Sequence, residues 1–62
     1  MNFESVLKHY SKRHPDMAPK MALAKALGLT HQAVYAWKDK IPYHSQLLIQ
    51  IESDGKFKAK KD

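Results

Sequence analysis

Apolar side chains near the start of the chain recur at the spacing of one helix face. Phe3, Val6, Leu7 and Tyr10 lie at i, i+3, i+4 and i+7, and the residues between them are polar. This spacing predicts a first α-helix of about two turns, with Asn2 as its N-cap.

The next segment, residues 11–19, combines two prolines and an aspartate with a run of three basic side chains. This composition predicts a loop in which the basic side chains are solvated. Pro19 suits the first turn of a second helix, because the N–H that proline lacks has no partner at that position anyway.

The most informative pattern lies in residues 23–38, where two short amphipathic segments flank a glycine. Leu23 and Leu27 form the apolar stripe of the first segment, and Gly28 follows where a helix ends in the left-handed conformation. Thr30 is a good N-cap for the second segment. The pattern is completed by apolar side chains at Ala24, Leu29, Val34 and Trp37. This order predicts a helix-turn-helix, which places its second helix in the DNA major groove.

The outward face of the second segment carries few charges for a solvent-facing helix. Its side chains are those of His31, Gln32, Tyr35 and Lys38, with Ala33 and Ala36 as small spacers. Amide, imidazole, phenol and methyl groups are the types that read base edges. The glycine turn alone would fit any antiparallel helix pair, but the whole pattern in a basic chain favours a DNA-reading motif.

The C-terminal third fits two different structures. As a helix that begins at Pro42 and stops at Gly55, it has one face formed by His44, Leu47, Leu48 and Ile51. As a pair of strands, it alternates apolar and polar residues on both sides of a two-residue turn at Asp54 and Gly55. Periodicity does not decide between them.

Size and composition limit the class of protein. The 62 residues allow one domain, which we place at residues 1–59, with a basic tail at residues 60–62. The net charge of +5 and the pI near 9.6 favour a polyanionic partner such as nucleic acid. The chain has no cysteine, no apolar run near the roughly 18 residues of a membrane span, and no signal peptide pattern. We therefore expect a cytoplasmic protein without a membrane partner.

Catalysis is not expected from this chain. Its four histidines, His9, His14, His31 and His44, do not have metal-ligand spacing, and no nucleophile or paired-carboxylate arrangement is present. We expect neither a metal nor another cofactor.

At this point the chain resembles the small Cro-type repressors of lambdoid phages and related prophages. The resemblance is carried by residues 22–30 (ALAKALGLT) and 32–38 (QAVYAWK), and extended by residues 41–42 (IP) and 54–58 (DGKFK). It implies a non-enzymatic repressor in the bacterial host cell that binds a partly palindromic operator, usually as a dimer. Cro proteins are among the type examples of helix-turn-helix docking, so the expected geometry is inherited from them.

The resemblance also implies roles for individual residues. The base-reading positions fall on Thr30, His31, Gln32, Tyr35 and Ala36, and positions that touch phosphate fall on Lys20 and Lys38. Two departures from the family pattern are the longer loop at residues 11–19 and the unusual readers His31 and Tyr35, so the operator sequence is not inherited. Cro proteins occur in an all-α form and an α+β form. We predict the all-α form, with four to five helices, and keep a C-terminal β-hairpin at about residues 46–60 as the alternative.

The expected mechanism separates phosphate contacts from base contacts. Lys20, Lys38 and Lys40 would neutralise phosphates, and Gln32 is the best candidate for direct readout, through adenine. A weak homodimer is expected, at least on DNA, because one small domain contacts too little DNA for selective binding. The expected interface residues are Leu47, Ile49, Ile51 and Phe57. The alternatives are a helical module that binds a protein, and a prophage or antitoxin-type regulator with the same DNA mechanism.

Overall fold

The computed structural model describes residues 1–38 and 40–60. Along this part of the chain it contains four α-helices, α1 (Phe3–Arg13), α2 (Pro19–Leu27), α3 (His31–Ala36) and α4 (Tyr43–Glu52). The described residues include no strand, so the predicted all-α fold is confirmed and the hairpin alternative is wrong. Most of the expected basic tail, Lys61 and Asp62, lies outside the described residues.

Helix α1 begins as expected but continues further. The Asn2 side chain accepts a hydrogen bond from the Ser5 N–H at 2.9 Å, which confirms the predicted N-cap. The helix runs for 11 residues to Arg13, so part of the predicted loop is helical. The helix ends at His14 because Pro15 follows, and a residue before proline avoids the α region.

Eight buried apolar side chains form the core in the described residues. They come from all four helices and from the segment before α4: Val6, Tyr10, Ala22, Leu23, Ala24, Val34, Ile41 and Ile49. Burial of one large aliphatic side chain stabilises the fold by about 1.5–3 kcal/mol. With no cysteine in the sequence to form a disulfide, this small core is the main source of stability.

Helix α4 has the predicted type but buries a different face. The sequence pattern grouped His44, Leu47, Leu48 and Ile51, yet all four are exposed and the buried residues are Ser45, Gln46 and Ile49. Burial of Gln46 is tolerated because both the nitrogen and the oxygen of its amide form hydrogen bonds. Its Nε2 donates to the Ile41 carbonyl at 2.9 Å, and its Oε1 accepts from the Lys60 N–H at 2.8 Å.

The chain after α4 runs back along the helix. The Asp54 and Gly55 turn is a helix stop, in which the Gly55 N–H donates to the Gln50 carbonyl at 2.8 Å and the Asp54 N–H to the Ile51 carbonyl at 3.1 Å. Both turn residues have positive φ, at 55° and 83°. The Gln50 side chain then accepts from the Ala59 N–H at 2.7 Å. The turn that the strand interpretation assigned to a hairpin therefore ends helix α4 instead.

An ion pair joins the ends of α1 and α4. The Arg13 guanidinium donates to both carboxylate oxygens of Glu52, at 2.6 Å and 3.2 Å. The hydrogen bond from Arg13 is the main cause that holds the pKa of Glu52 below its ordinary value. One of the three basic side chains expected to be solvated is therefore engaged within the fold.

This ion pair predicts a specific loss of stability in acid. Because the pKa of Glu52 is lower in the folded chain than in the unfolded chain, the unfolded chain binds the proton first. The contribution is present above the ordinary carboxyl pKa of about 4.5 and is lost as pH falls through the folded value. Glu52→Gln should be less stable than the native chain at neutral pH, with the difference shrinking below pH 4.5.

Urea unfolding followed by circular dichroism across this pH range measures the effect. Arg13→Gln is the matched variant, and it should remove the part of the acid dependence that comes from the Arg13 hydrogen bond, the largest cause of the lowered pKa. Equal pH dependence in the native chain and both variants would contradict the prediction.

Candidate DNA-recognition surface

Helices α2 and α3 meet at a turn defined by two local signals. Gly28 has φ of +71° and lies in the left-handed region, where a Cβ would be strained. The Leu29 N–H donates to the Ala24 carbonyl at 2.9 Å and closes the end of α2. Thr30 then caps α3, since its Oγ1 accepts from the Ala33 N–H at 3.3 Å. Both predicted signals are present, and they set the direction in which α3 leaves α2.

The short helix α3 has one inward and one outward face. Val34 is fully buried, and Trp37, at the end of the helix, is half-buried against the core. The outward face consists of exposed side chains at Thr30, His31, Gln32, Tyr35 and Ala36. The five positions predicted to read bases are therefore accessible together on one turn and helix.

The three lysines assigned to phosphate have different surroundings. Lys38 follows α3 with a positive φ of 60°, and both Lys38 and Lys40 are exposed. Lys20 is half-buried at the start of α2, and its ammonium lies 4.8 Å from the centroid of the Tyr35 ring. This contact between α2 and α3 was not predicted, because a cation–π pair has no signature in sequence spacing.

The charge around this surface is of one sign. Residues 17–38, which include α2, the turn and α3, contain three lysines and no aspartate or glutamate. A polyanion that approaches the outward face of α3 would therefore meet no carboxylate from this stretch. Within residues 1–38 and 40–60, no cluster of three or more His, Asp or Glu side chains could hold a metal ion.

The four residues expected at a dimer interface are not equivalent. Leu47 is 39% exposed and Ile51 is 77% exposed, both on the outer face of α4. Ile49 is fully buried in the core of its own chain, so it has no surface to offer a partner. Phe57 is half-buried and packs edge-on against His9, with ring centroids 5.3 Å apart. Sequence reasoning missed Leu48, which is 41% exposed beside Leu47.

A groove adjoins this outer face of α4. It is lined by Ala26, Leu27, Leu48, Ile51 and Glu52, and it is largely apolar. The spacing of Leu47, Leu48 and Ile51 at i, i+1 and i+4 is the sequence signal that places Leu48 on the same helix face. No helix in the described residues has the length and apolar character that crossing a bilayer requires.

A helix that ends at a left-handed glycine, a short turn and a second helix capped by Thr30, whose outward face has no Asp, Glu, Lys or Arg, define a helix-turn-helix protein. The comparison with known families specifies this class further. Residues 18–62 match the model of the P22 Cro family, described as DNA-binding transcriptional regulator Cro. The match covers well over half of the chain, and the chain belongs to this family. It is a DNA-binding transcriptional regulator. No curated protein and no solved structure matches the chain significantly.

The Thr30 cap predicts a measurable effect on stability. Thr30→Ala should lower the free energy of unfolding by about 1 kcal/mol, because the Ala33 N–H loses its acceptor. Thr30→Ser keeps a hydroxyl at this position and should retain most of the stability. Urea unfolding without DNA, followed by Trp37 fluorescence, separates this role from any contact with bases. Equal losses of unfolding free energy in the two variants would contradict the capping role of Thr30.

Proposed function

We propose that this chain is a Cro-like repressor that inserts α3 into the major groove of a pseudo-palindromic operator. The main support is the outward face of α3, where Thr30, His31, Gln32, Tyr35 and Ala36 are exposed together. A six-residue helix with small side chains among the polar ones fits the width of the groove, about 12 Å. Family membership supports the same use of the motif.

In this proposal, base contacts and phosphate contacts come from different elements. Gln32, on the first turn of α3, would pair with adenine through its carboxamide. Lys38 and Lys40 follow α3, and Lys20 lies in the first turn of the preceding helix, so the lysines flank the reading face. They would contact phosphates on both sides of the groove and release counterions, with little sequence preference.

A selection from random duplex DNA tests the proposed function. The full chain should enrich a near-palindrome with half-sites about one helical turn apart, and binding should weaken steeply with salt. Weak binding that responds to salt without enrichment would reject operator recognition. Binding that is both weak and insensitive to salt would favour the alternative of a protein-binding module.

Substitutions of Gln32 and Lys38 should weaken DNA binding in different ways. Gln32→Ala removes a bidentate base contact, so we expect operator affinity to fall by about 10- to 100-fold while binding to random DNA is unchanged. Lys38→Gln is the comparison variant, and it should weaken operator and random DNA alike and reduce the salt slope by about 0.9. Titration of both DNAs at two salt concentrations measures this. An equal loss on both DNAs for Gln32→Ala would exclude base readout by Gln32.

We propose a second copy of the chain as the occupant of the outer face of α4. Ile51 is 77% exposed on this face and lines the groove together with Ala26, Leu27 and Leu48. A two-fold axis would place each Ile51 side chain against the groove of the other copy, since both features belong to one surface. The patch is small, which fits weak association that DNA strengthens. Leu47 and Ile51 stay in the proposed interface, Leu48 joins them, and Ile49 is left out.

Sedimentation of the free chain over a concentration series tests the dimer. Ile51→Gln should weaken association by about tenfold or more, because both copies lose an apolar contact. Ile51 is mostly exposed, so the change should leave the fold intact. Met21→Gln is a matched control at a 41% exposed position outside the groove, and it should not alter association. A native chain that is monomeric with and without operator would reject the dimer.

A further inference from the structure

The Lys20 side chain lies between aromatic rings from two other helices. Its ammonium nitrogen is 4.8 Å from the centroid of the Tyr35 ring on α3, and 6.0 Å from the centroid of the Phe3 ring on α1. A cation within about 6 Å of a ring centroid is attracted by the negative face of the ring. Lys20 is half-buried, whereas Lys38 and Lys40 are exposed. Its position therefore differs from that of a lysine extended into solvent.

The Tyr35 ring is held on more than one side. The His31 ring, one helical turn earlier, meets it edge-on with centroids 6.0 Å apart and planes at 89°. Tyr35 is nevertheless 48% exposed, so a large part of its side chain faces solvent. Without these neighbours, an exposed tyrosine would sample several rotamers and lose that freedom when it binds. Lys20 and His31 both contact the ring in the absence of DNA.

We propose that Lys20 is a positioning residue that acts on DNA recognition through Tyr35. It holds the ring from α2, so that the hydroxyl and the uncovered edge of Tyr35 face the DNA in one orientation. This inference rests on the proposed function, in which α3 reads the major groove. It differs from a role for Lys20 as a phosphate contact, because the effect of Lys20 then depends on the ring at position 35.

The contact is first tested in the free protein by NMR. A methylene group above an aromatic face is shifted upfield by the ring current, so the ε-CH₂ protons of Lys20 should show this shift. Tyr35→Phe keeps the ring and should keep the shift, and Tyr35→Leu should abolish most of it. Lys25, on the same helix without a ring contact among the described residues, supplies the reference shift. Absence of the shift in the native chain would overturn the proposal.

A double-mutant cycle on operator binding tests the positioning role. Lys20→Met and Tyr35→Leu should each weaken binding, and the double variant should bind about two- to fivefold better than the product of the single effects predicts. Lys20→Arg keeps a cation and should restore the coupling to Tyr35. Lys25→Met is the matched control, and its effect should be independent of the residue at position 35.

The outcomes separate this inference from the proposed function. Specific operator binding with independent effects of Lys20→Met and Tyr35→Leu would overturn positioning while the proposed function stands. Failure of the native chain to select any operator would reject both the proposed function and a positioning role in recognition. The NMR shift would then report only a packing contact. Coupling on the operator, with the shift present, would support the proposal.

Discussion

The arrangement of the molecule depends on holding a six-residue helix in place. An isolated helix of this length is unstable in water, because its few hydrogen bonds do not offset the cost of nucleation. Helix α3 therefore depends on its neighbours: the Thr30 cap at one end, the fully buried Val34 in the middle, and the half-buried Trp37 at the other end. These contacts use only the inward face and the ends of the helix. The outward face remains available for a ligand.

The charge distribution follows from the same arrangement. The ion pair between Arg13 and Glu52 joins α1 and α4, so one of the few carboxylates is paired with a cation inside the fold. The stretch from residue 17 to residue 38 has only cationic side chains among its charged residues. One of these cations, Lys20 on α2, also packs against an aromatic ring of α3, that of Tyr35. In the proposed mode of binding, this one contact would combine electrostatic attraction of DNA with the orientation of a base-reading side chain.

Local signals predicted the first three helices, whereas the burial of α4 required tertiary information. Asn2, Pro19, Gly28 and Thr30 act within one or two turns of the chain, so their roles were readable from spacing. The inward face of α4 was not readable from spacing, because Gln46 is buried through a bond to the Lys60 N–H, fourteen residues away. Periodicity grouped the apolar side chains on one helix face but did not show which face is buried. Exposure of the α3 residues was predictable in the same local way, but the Lys20 contact with Tyr35 joins separate helices and left no pattern.

The inward face of helix α4 explains why its apolar residues lie on the outer face. On this face, the Gln46 side chain forms hydrogen bonds with backbone groups of Ile41 and Lys60, which an aliphatic side chain could not form. The outward face is then free to be apolar, with Ile51 its most exposed member. In the proposed two-fold arrangement, association would use α4 and the end of α2, whereas base reading would use the outward face of α3. Because two weakly associating copies would be needed for one operator, occupancy would rise with about the square of the protein concentration, which suits a transcriptional switch.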